Sequence, residues 1–329
     1  MSFKLTVHIG RHKTGTSTLQ AFLMGNREAL ASEGIYYPEP DDHMIAHHKL
    51  AKAISRQSIK ERSLIEVKQT QEYGKILRHI RKTLETTNVL LSSEGFSNSH
   101  PRTLSRLFKF TNPVVAVYVR EQVSYLLSGY AQLIQSSNNA MTLEEYEQDH
   151  FRGADYDRFL NLWQAHFPDG DLVVRNYDRQ YLTNRDIVED FLVNVMGIRT
   201  TTHFDKAVPT RNPSIAGKLL EAKRLANEKG DLAHLPNSLV YGALGQLALD
   251  SRYEVKATIS SEMLERLEAR FIATNEKVNA AFLPDTPLVL NSELVSDDAN
   301  TELSDTEYGA ILEDIVNAVE TLSKSGATA

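Results

Sequence analysis

Residues 4–18, Lys-Leu-Thr-Val-His-Ile-Gly-Arg-His-Lys-Thr-Gly-Thr-Ser-Thr, constrain the fold more than any other stretch of the chain. Leu5, Val7 and Ile9 alternate with Lys4, Thr6 and His8, which is the period of a β-strand. Gly10 and Gly15 then bracket a short loop, and Thr16, Ser17 and Thr18 head a helical run continuing through Leu19, Phe22 and Leu23. A strand, a glycine loop and a helix start in that order make an anion cradle. The N–H groups of the loop and of the first helical turn are free to bind one ligand, and the helix dipole favours negative charge there. The common nucleoside triphosphate loop, G-x-x-x-x-G-K-[ST], has the same glycine spacing, but its lysine follows the second glycine and its hydroxyl holds magnesium. Here Thr16 stands in that lysine's place and the lysine is Lys13, inside the loop. The loop is therefore expected to hold a phosphate-like anion without the Lys-Ser/Thr pair that grips β/γ-phosphates and their metal.

Three further β-type runs follow, at 88–92, 113–119 and 171–175, and those at 88–92 and 113–119 are almost continuously apolar, as in strands buried on both faces of a parallel sheet. Helical patterns over 16–31, 63–86, 122–136 and 155–166 separate the strands. The alternation predicts an α/β fold of three layers, a parallel sheet flanked by helices. Beyond residue 214 the pattern is helical (214–229, 238–249, 260–281), then polar and acidic over 292–307, with a last amphipathic helix at about 304–322. The expected organisation is an α/β domain over 1–290, with its core at 1–215 and a helical extension at 214–290, then an acidic linker and C-terminal helix over 291–329. No internal repeat interrupts it.

Composition narrows the function. A net charge of −7 in 329 residues excludes a general nucleic-acid binder, so an anionic ligand must meet locally placed basic groups. No cysteine is present, which leaves no disulfide framework and no thiol chemistry. The first strand starts at once, with no charged-then-apolar leader, and the uncharged stretch 123–143 carries Gln, Ser and Asn in its second half. Neither a secretory signal nor a membrane span is expected, and the cytoplasm is the expected location.

In a parallel α/β sheet, ligands sit at the carboxyl ends of the strands. That rule selects the 10–18 loop, Glu94 at the end of Leu-Leu-Ser-Ser-Glu, and Arg120 at the end of the 113–119 strand. Ser128 follows Arg120 by eight residues, on a helix face shared with Ser124. An arginine fork with a hydroxyl is a receptor for a phosphate dianion. Glu94 is placed either to accept a proton or to pair with Lys13 or Arg120. His43, His47 and His48 cluster beside Asp41 and Asp42, but without the H-E-x-x-H pattern of a zinc site. They are read as a solvated face, with His48 a candidate on the side of a second substrate and no metal expected.

Two of these segments carry a resemblance. Lys13-Thr14-Gly15-Thr16-Ser17 after a strand resembles the K-[ST]-G-T-[ST] loop, and Arg120 to Ser128 the R-x7-S segment, of sulfotransferases that use 3′-phosphoadenosine-5′-phosphosulfate (PAPS). The likeness is to the bacterial type and covers about residues 1–215. It implies that residues His12, Lys13, Thr14, Gly15, Thr16, Ser17 and Thr18 hold the 5′-phosphosulfate. Lys13 would stabilise the bridging oxygen, and Arg120 and Ser128 would bind the 3′-phosphate. It makes Glu94 the base, where animal cytosolic members carry histidine. Arg211-Asn212-Pro213-Ser214 resembles the family's R-x-N-x-S segment near the nucleotide, although Ser214 also suits a helix N-cap. Residues 173–179 and 186–198 resemble its closing strand-loop-helix. The Arg-Lys-Gly clamp of animal members is absent, as is a tryptophan near the loop, since the only one is Trp163. The implied partners are PAPS or 3′,5′-adenosine bisphosphate and a hydroxyl acceptor, whether a sugar, a lipid-linked glycan or a small alcohol or phenol. The alternatives are an ATP- or GTP-dependent kinase of the P-loop class, or a nucleotide-binding protein without catalysis.

Overall fold

The protein's structure, a computed structural model, describes residues 3–11, 13–40, 44–55, 71–109, 111, 113–168, 172–207, 215–297 and 302–325. The alternating run at the N-terminus forms β1 (Leu5–Ile9), buried along its whole length. The other three expected strands are present as β3 (Asn88–Ser93), β4 (Val114–Val119) and β5 (Leu172–Asn176). A two-residue edge strand, β2 (Ile35–Tyr36), joins them, too short to leave a periodic signal. The sheet has the order β2-β3-β1-β4-β5 and every pairing is parallel. The expected α/β parallel sheet flanked by helices is thus the fold observed. With β3 on one side of β1 and β4 on the other, the chain departs in opposite directions from the sheet's centre. The carboxyl end of β1 is therefore the switch point where α/β sheets take their ligands.

By contacts the chain divides into two units: Met1–Arg120 with Tyr156–Pro209 and Asn275–Leu288, and Glu121–Asp155 with Thr210–Thr274 and Val289–Ala329. The first unit holds the sheet. Leu5, Val7, Ile9, Leu91, Val117 and Val119 face one apolar layer, which includes Trp163, while Leu90, Ala116 and Tyr118 face another containing Leu19, Phe22 and Phe191. Each fully buried side chain of this kind contributes about 1.5–3 kcal/mol. The helical run expected over 16–31 is broken into α1 (Thr16–Gly25) and α2 (Arg27–Ser32). At the break, Asn26 Nδ2 donates to the carbonyls of Phe22 (3.0 Å) and Asp205 (2.7 Å), so the chain turns around a side-chain bond. Also in this unit are α3 (His48–Ala53), α4 (Gln71–Thr83) and α5 (Pro101–Leu107).

In the second unit, α6 (Gln122–Ser136), α7 (Leu143–His150), α8 (Gly217–Lys229), α9 (Asn237–Leu247) and α10 (Asp305–Ser325) share one core. The expected last amphipathic helix is α10, and Tyr308, Ile311, Ile315, Val319 and Leu322 are its buried face. Thr142 and Glu145 form a capping box at the start of α7, a pattern the sequence carries in Thr-Leu-Glu-Glu. Among the described residues no helix is long and apolar enough to cross a membrane.

Candidate active site at the carboxyl end of β1

Strand register brings the site together. Ile9 pairs with Ser93 across β1 and β3, and the Gly10 N–H donates to the Ser93 carbonyl (3.2 Å). The first residue of the loop therefore lies against Glu94. A Cβ on Gly10 would stand 2.6 Å from Thr16 Cγ2 and 3.2 Å from Glu94 Cα, so only glycine fits. Lys13 (φ 65°) and Gly15 (φ 70°) adopt left-handed backbone on either side of Thr14. That alternation turns successive N–H groups toward one point, an anion nest. Gly15 is the N-cap of α1 and no side chain caps the helix. Thr14, buried, donates its hydroxyl to the Arg11 carbonyl (2.8 Å) and closes the loop on itself.

The side chains read from the sequence take distinct positions. Lys13 is half-buried, and burial, with the Arg120 charge adding to it, moves its ammonium below the usual lysine range while the Glu94 charge works the other way. Thr16 is buried and its hydroxyl donates to Glu94 Oε1. Ser17 and Thr18 are exposed on the first turn of α1. Glu94 opens a 3-10 turn, Glu94–Asn98, whose N-cap Ser93 accepts from the Gly95 N–H (3.1 Å). The same Ser93 Oγ pairs with His48 Nδ1 (2.9 Å), so His48 braces the turn carrying Glu94. His47 is a latch between loop and sheet. Its Nδ1 accepts from the Ser92 N–H (3.1 Å) and its Nε2 donates to the Pro38 carbonyl (3.1 Å). Under α1, Ser92 Oγ pairs with His8 Nδ1 (2.8 Å) and accepts from Gln20 Nε2 (3.5 Å). Burial lowers His8 to about 4, which keeps this core histidine neutral.

Arg120 Nη1 donates to the Lys13 carbonyl (3.2 Å), holding the strained residue of the loop, while Tyr156 Oη donates to the Arg120 carbonyl (2.7 Å). Ser128, half-buried on α6, belongs to the second unit and Arg120 to the first. His12, Asp41, Asp42, His43, Arg211, Asn212 and Ser214 lie outside the described residues.

Two contributors escaped the sequence reading. Tyr177 follows β5, its N–H donating to the Val119 carbonyl (2.7 Å), and its ring lies against Gly15 and 5.8 Å from the Arg120 guanidinium. The strand-end rule that selected Glu94 and Arg120 selects Tyr177 when applied to β5. Arg11 lies over the Phe159 ring (4.5 Å to its centroid), a contact with no local sequence signal. Glycines, a nest and an uncapped helix start converge at one strand end. With an ammonium, a carboxylate and a guanidinium beside them, they can bind an anion, stabilise charge on it and take a proton.

No family model matches the chain. An uncharacterized protein of Archaeoglobus fulgidus is 28% identical over 193 residues, which cover 58% of this chain and 52% of that relative, so the chain spans about half of its length. Among solved structures, a sulfotransferase from Alicyclobacillus acidocaldarius is 15% identical with a TM-score of 0.41, over 72% of this chain and 98% of that one. A sulfotransferase domain from the curacin biosynthetic pathway is 9% identical with a TM-score of 0.40, over 82% of this chain and 97% of the domain.

Proposed function

We propose that the chain transfers a sulfuryl group from PAPS to a hydroxyl acceptor. The observation that carries this reading is the loop itself: Lys13 in left-handed backbone inside a Gly10–Gly15 nest, with Thr16 turned to Glu94 where a nucleoside triphosphate loop has its lysine. The start of α1, which no side chain caps, and the left-handed backbone at Lys13 and Gly15 suit an anion such as the 5′ group of the donor. The nest N–H groups, with Ser17 and Thr18, bind the 5′-phosphosulfate. Lys13 stabilises the charge that grows on the oxygen bridging phosphate and sulfur as that bond breaks. Glu94, held by Thr16, accepts the acceptor's proton while the acceptor oxygen bonds to sulfur in line. The products are a sulfate ester, 3′,5′-adenosine bisphosphate and the proton on Glu94. Arg120 binds the 3′-phosphate, the group that separates this nucleotide from ATP.

Calorimetric titration tests the reading. The bisphosphate is expected to bind with or without magnesium, and more tightly than AMP. Arg120→Ala should weaken the bisphosphate by roughly ten- to a hundredfold, the value of a charge-assisted pair of about 1.5–3 kcal/mol, and weaken AMP less, through the Lys13 carbonyl that Arg120 also holds. Tighter binding of magnesium-ATP than of the bisphosphate would overturn it.

A further inference from the structure

A cavity of about 270 Å³ opens in the first unit beside β3. Its walls are Tyr36 at the end of β2, Ala46, His47, Leu50 on α3, Ile80 on α4 and Leu91 on β3. The loop after β2 leaves the parallel sheet at the edge where the phosphate loop leaves β1 and Glu94 leaves β3. Hydrogen bonds connect the cavity wall to the site. The His47 N–H donates to the Ser92 carbonyl (2.9 Å), the next residue, His48, pairs with Ser93 Oγ, and Glu94 follows. Glu94 is two residue steps beyond Ser92, about 6–7 Å at the rise of a strand.

The wall chemistry selects the occupant. Ala46, Leu50, Ile80 and Leu91 offer no polar side-chain atoms. The two ring nitrogens of His47 are engaged by Ser92 and Pro38, and His79 Nε2 pairs with the Tyr36 hydroxyl (3.0 Å). A polyhydroxylated sugar would leave its hydroxyls unpaired against such a wall, at a cost for each. The exposed Glu39, Met44 and Lys49 stand at the mouth. A cavity of about 150 Å³ holds benzene, so this one has room for roughly two fused rings.

We propose that the cavity receives the body of the acceptor, an alcohol or phenol with an apolar frame of one or two rings, whose hydroxyl is directed past His48 to Glu94. The assignment to the acceptor rests on the sulfuryl-transfer reading, whereas binding in the cavity is tested apart from it. The full chain is titrated with 1-naphthol by calorimetry. Ala46→Phe, which fills the cavity, should raise the Kd at least tenfold. Met44→Glu, at an exposed position that leaves the core intact, should raise it severalfold. Both variants should keep the wild-type affinity for 3′,5′-adenosine bisphosphate. In a second arm, radiolabelled PAPS should label 1-naphthol in preference to glucose, and both variants should lose that labelling. No binding of 1-naphthol, binding unchanged in both variants, or label passing to glucose instead would overturn the proposal. If 1-naphthol binding is lost in both variants but PAPS labels nothing, the sulfuryl-transfer reading fails and the cavity's preference for apolar hydroxyl compounds stands.

Discussion

Replacing Gly15 by alanine perturbs the loop by two amounts that the structure separates. The first is conformational. Gly15 has φ 70°, and left-handed backbone costs a residue with a Cβ roughly 1–2 kcal/mol. The second is steric. The new Cβ would lie 2.7 Å from Tyr177 Cε2 and 2.9 Å from its hydroxyl, where ordinary contact is about 3.5–4.0 Å, so the ring must give by close to 1 Å. Crowding of this kind costs about 1–3 kcal/mol, and the expected loss of stability is therefore about 2–5 kcal/mol. The displaced ring lies beside Arg120, whose guanidinium holds the Lys13 carbonyl, so affinity for 3′,5′-adenosine bisphosphate should fall as well. Urea unfolding of Gly15→Ala, Tyr177→Ala and the double variant completes a cycle. In the Tyr177→Ala background the glycine substitution should cost only the conformational share. A Gly15→Ala protein that unfolds and binds nucleotide like the wild type would refute the reasoning, and so would a cycle with no coupling between the two sites.

Lys13→Ala should lower turnover by about 10²–10³ while bisphosphate affinity, measured by calorimetry, changes far less, because its charge matters most as the bridging oxygen becomes anionic. Since burial and Arg120 hold Lys13 below the ordinary lysine range, the rate of the wild type should fall on the alkaline side before a free lysine titrates, and Lys13→Arg should remove that limb. Glu94→Gln can still accept from Thr16 but cannot take a proton, so turnover should drop roughly 10²–10⁴-fold with bisphosphate affinity and thermal midpoint kept. If that variant turns over normally, Glu94 is not the base. In the second unit, Lys223 is buried, with Nζ donating to the Ser137 carbonyl (3.1 Å) and to Asn227 Oδ1, and burial lowers it from 10.5 to about 8. Between those values the unfolded chain holds the proton and the folded chain does not, so the cost of burying Lys223 is relieved as pH rises, and stability increases by up to about 3 kcal/mol. Urea unfolding at several pH values should show that rise in the wild type and a flatter profile in Lys223→Met.

The loop was legible because its signal is local: strand period, two glycines, a lysine and three hydroxyls lie within fifteen residues. Three further strands were legible as β-type runs, those at 88–92 and 113–119 almost continuously apolar. Strand β2 was not, since Ile35 and Tyr36 are too few to show a period and are set by pairing with Asn88 and Val89. The break at Asn26 depends on Asp205, the bracing of Glu94 by Thr16 on the β1–β3 register, and that of its turn by His48 on the bond of the His47 N–H to Ser92. Tyr177 reaches Gly15 and Arg120 through the pairing of β4 with β5. Such contacts join segments far apart in sequence, and no pattern within either segment encodes them. The residue types around the loop were readable, whereas the cavity wall beside β3 was not, because Ala46, Leu50, Ile80 and Leu91 read individually as core residues.

The central claim is tested most directly by following the label from PAPS carrying radioactive sulfur, beside ATP labelled in its γ-phosphate, with 1-naphthol and glucose as acceptors and with or without EDTA. The account predicts that sulfur reaches a hydroxyl acceptor with stoichiometric release of 3′,5′-adenosine bisphosphate, undiminished by EDTA, and that ATP transfers nothing. Label passing from ATP, abolished by EDTA, with none from PAPS, would contradict it.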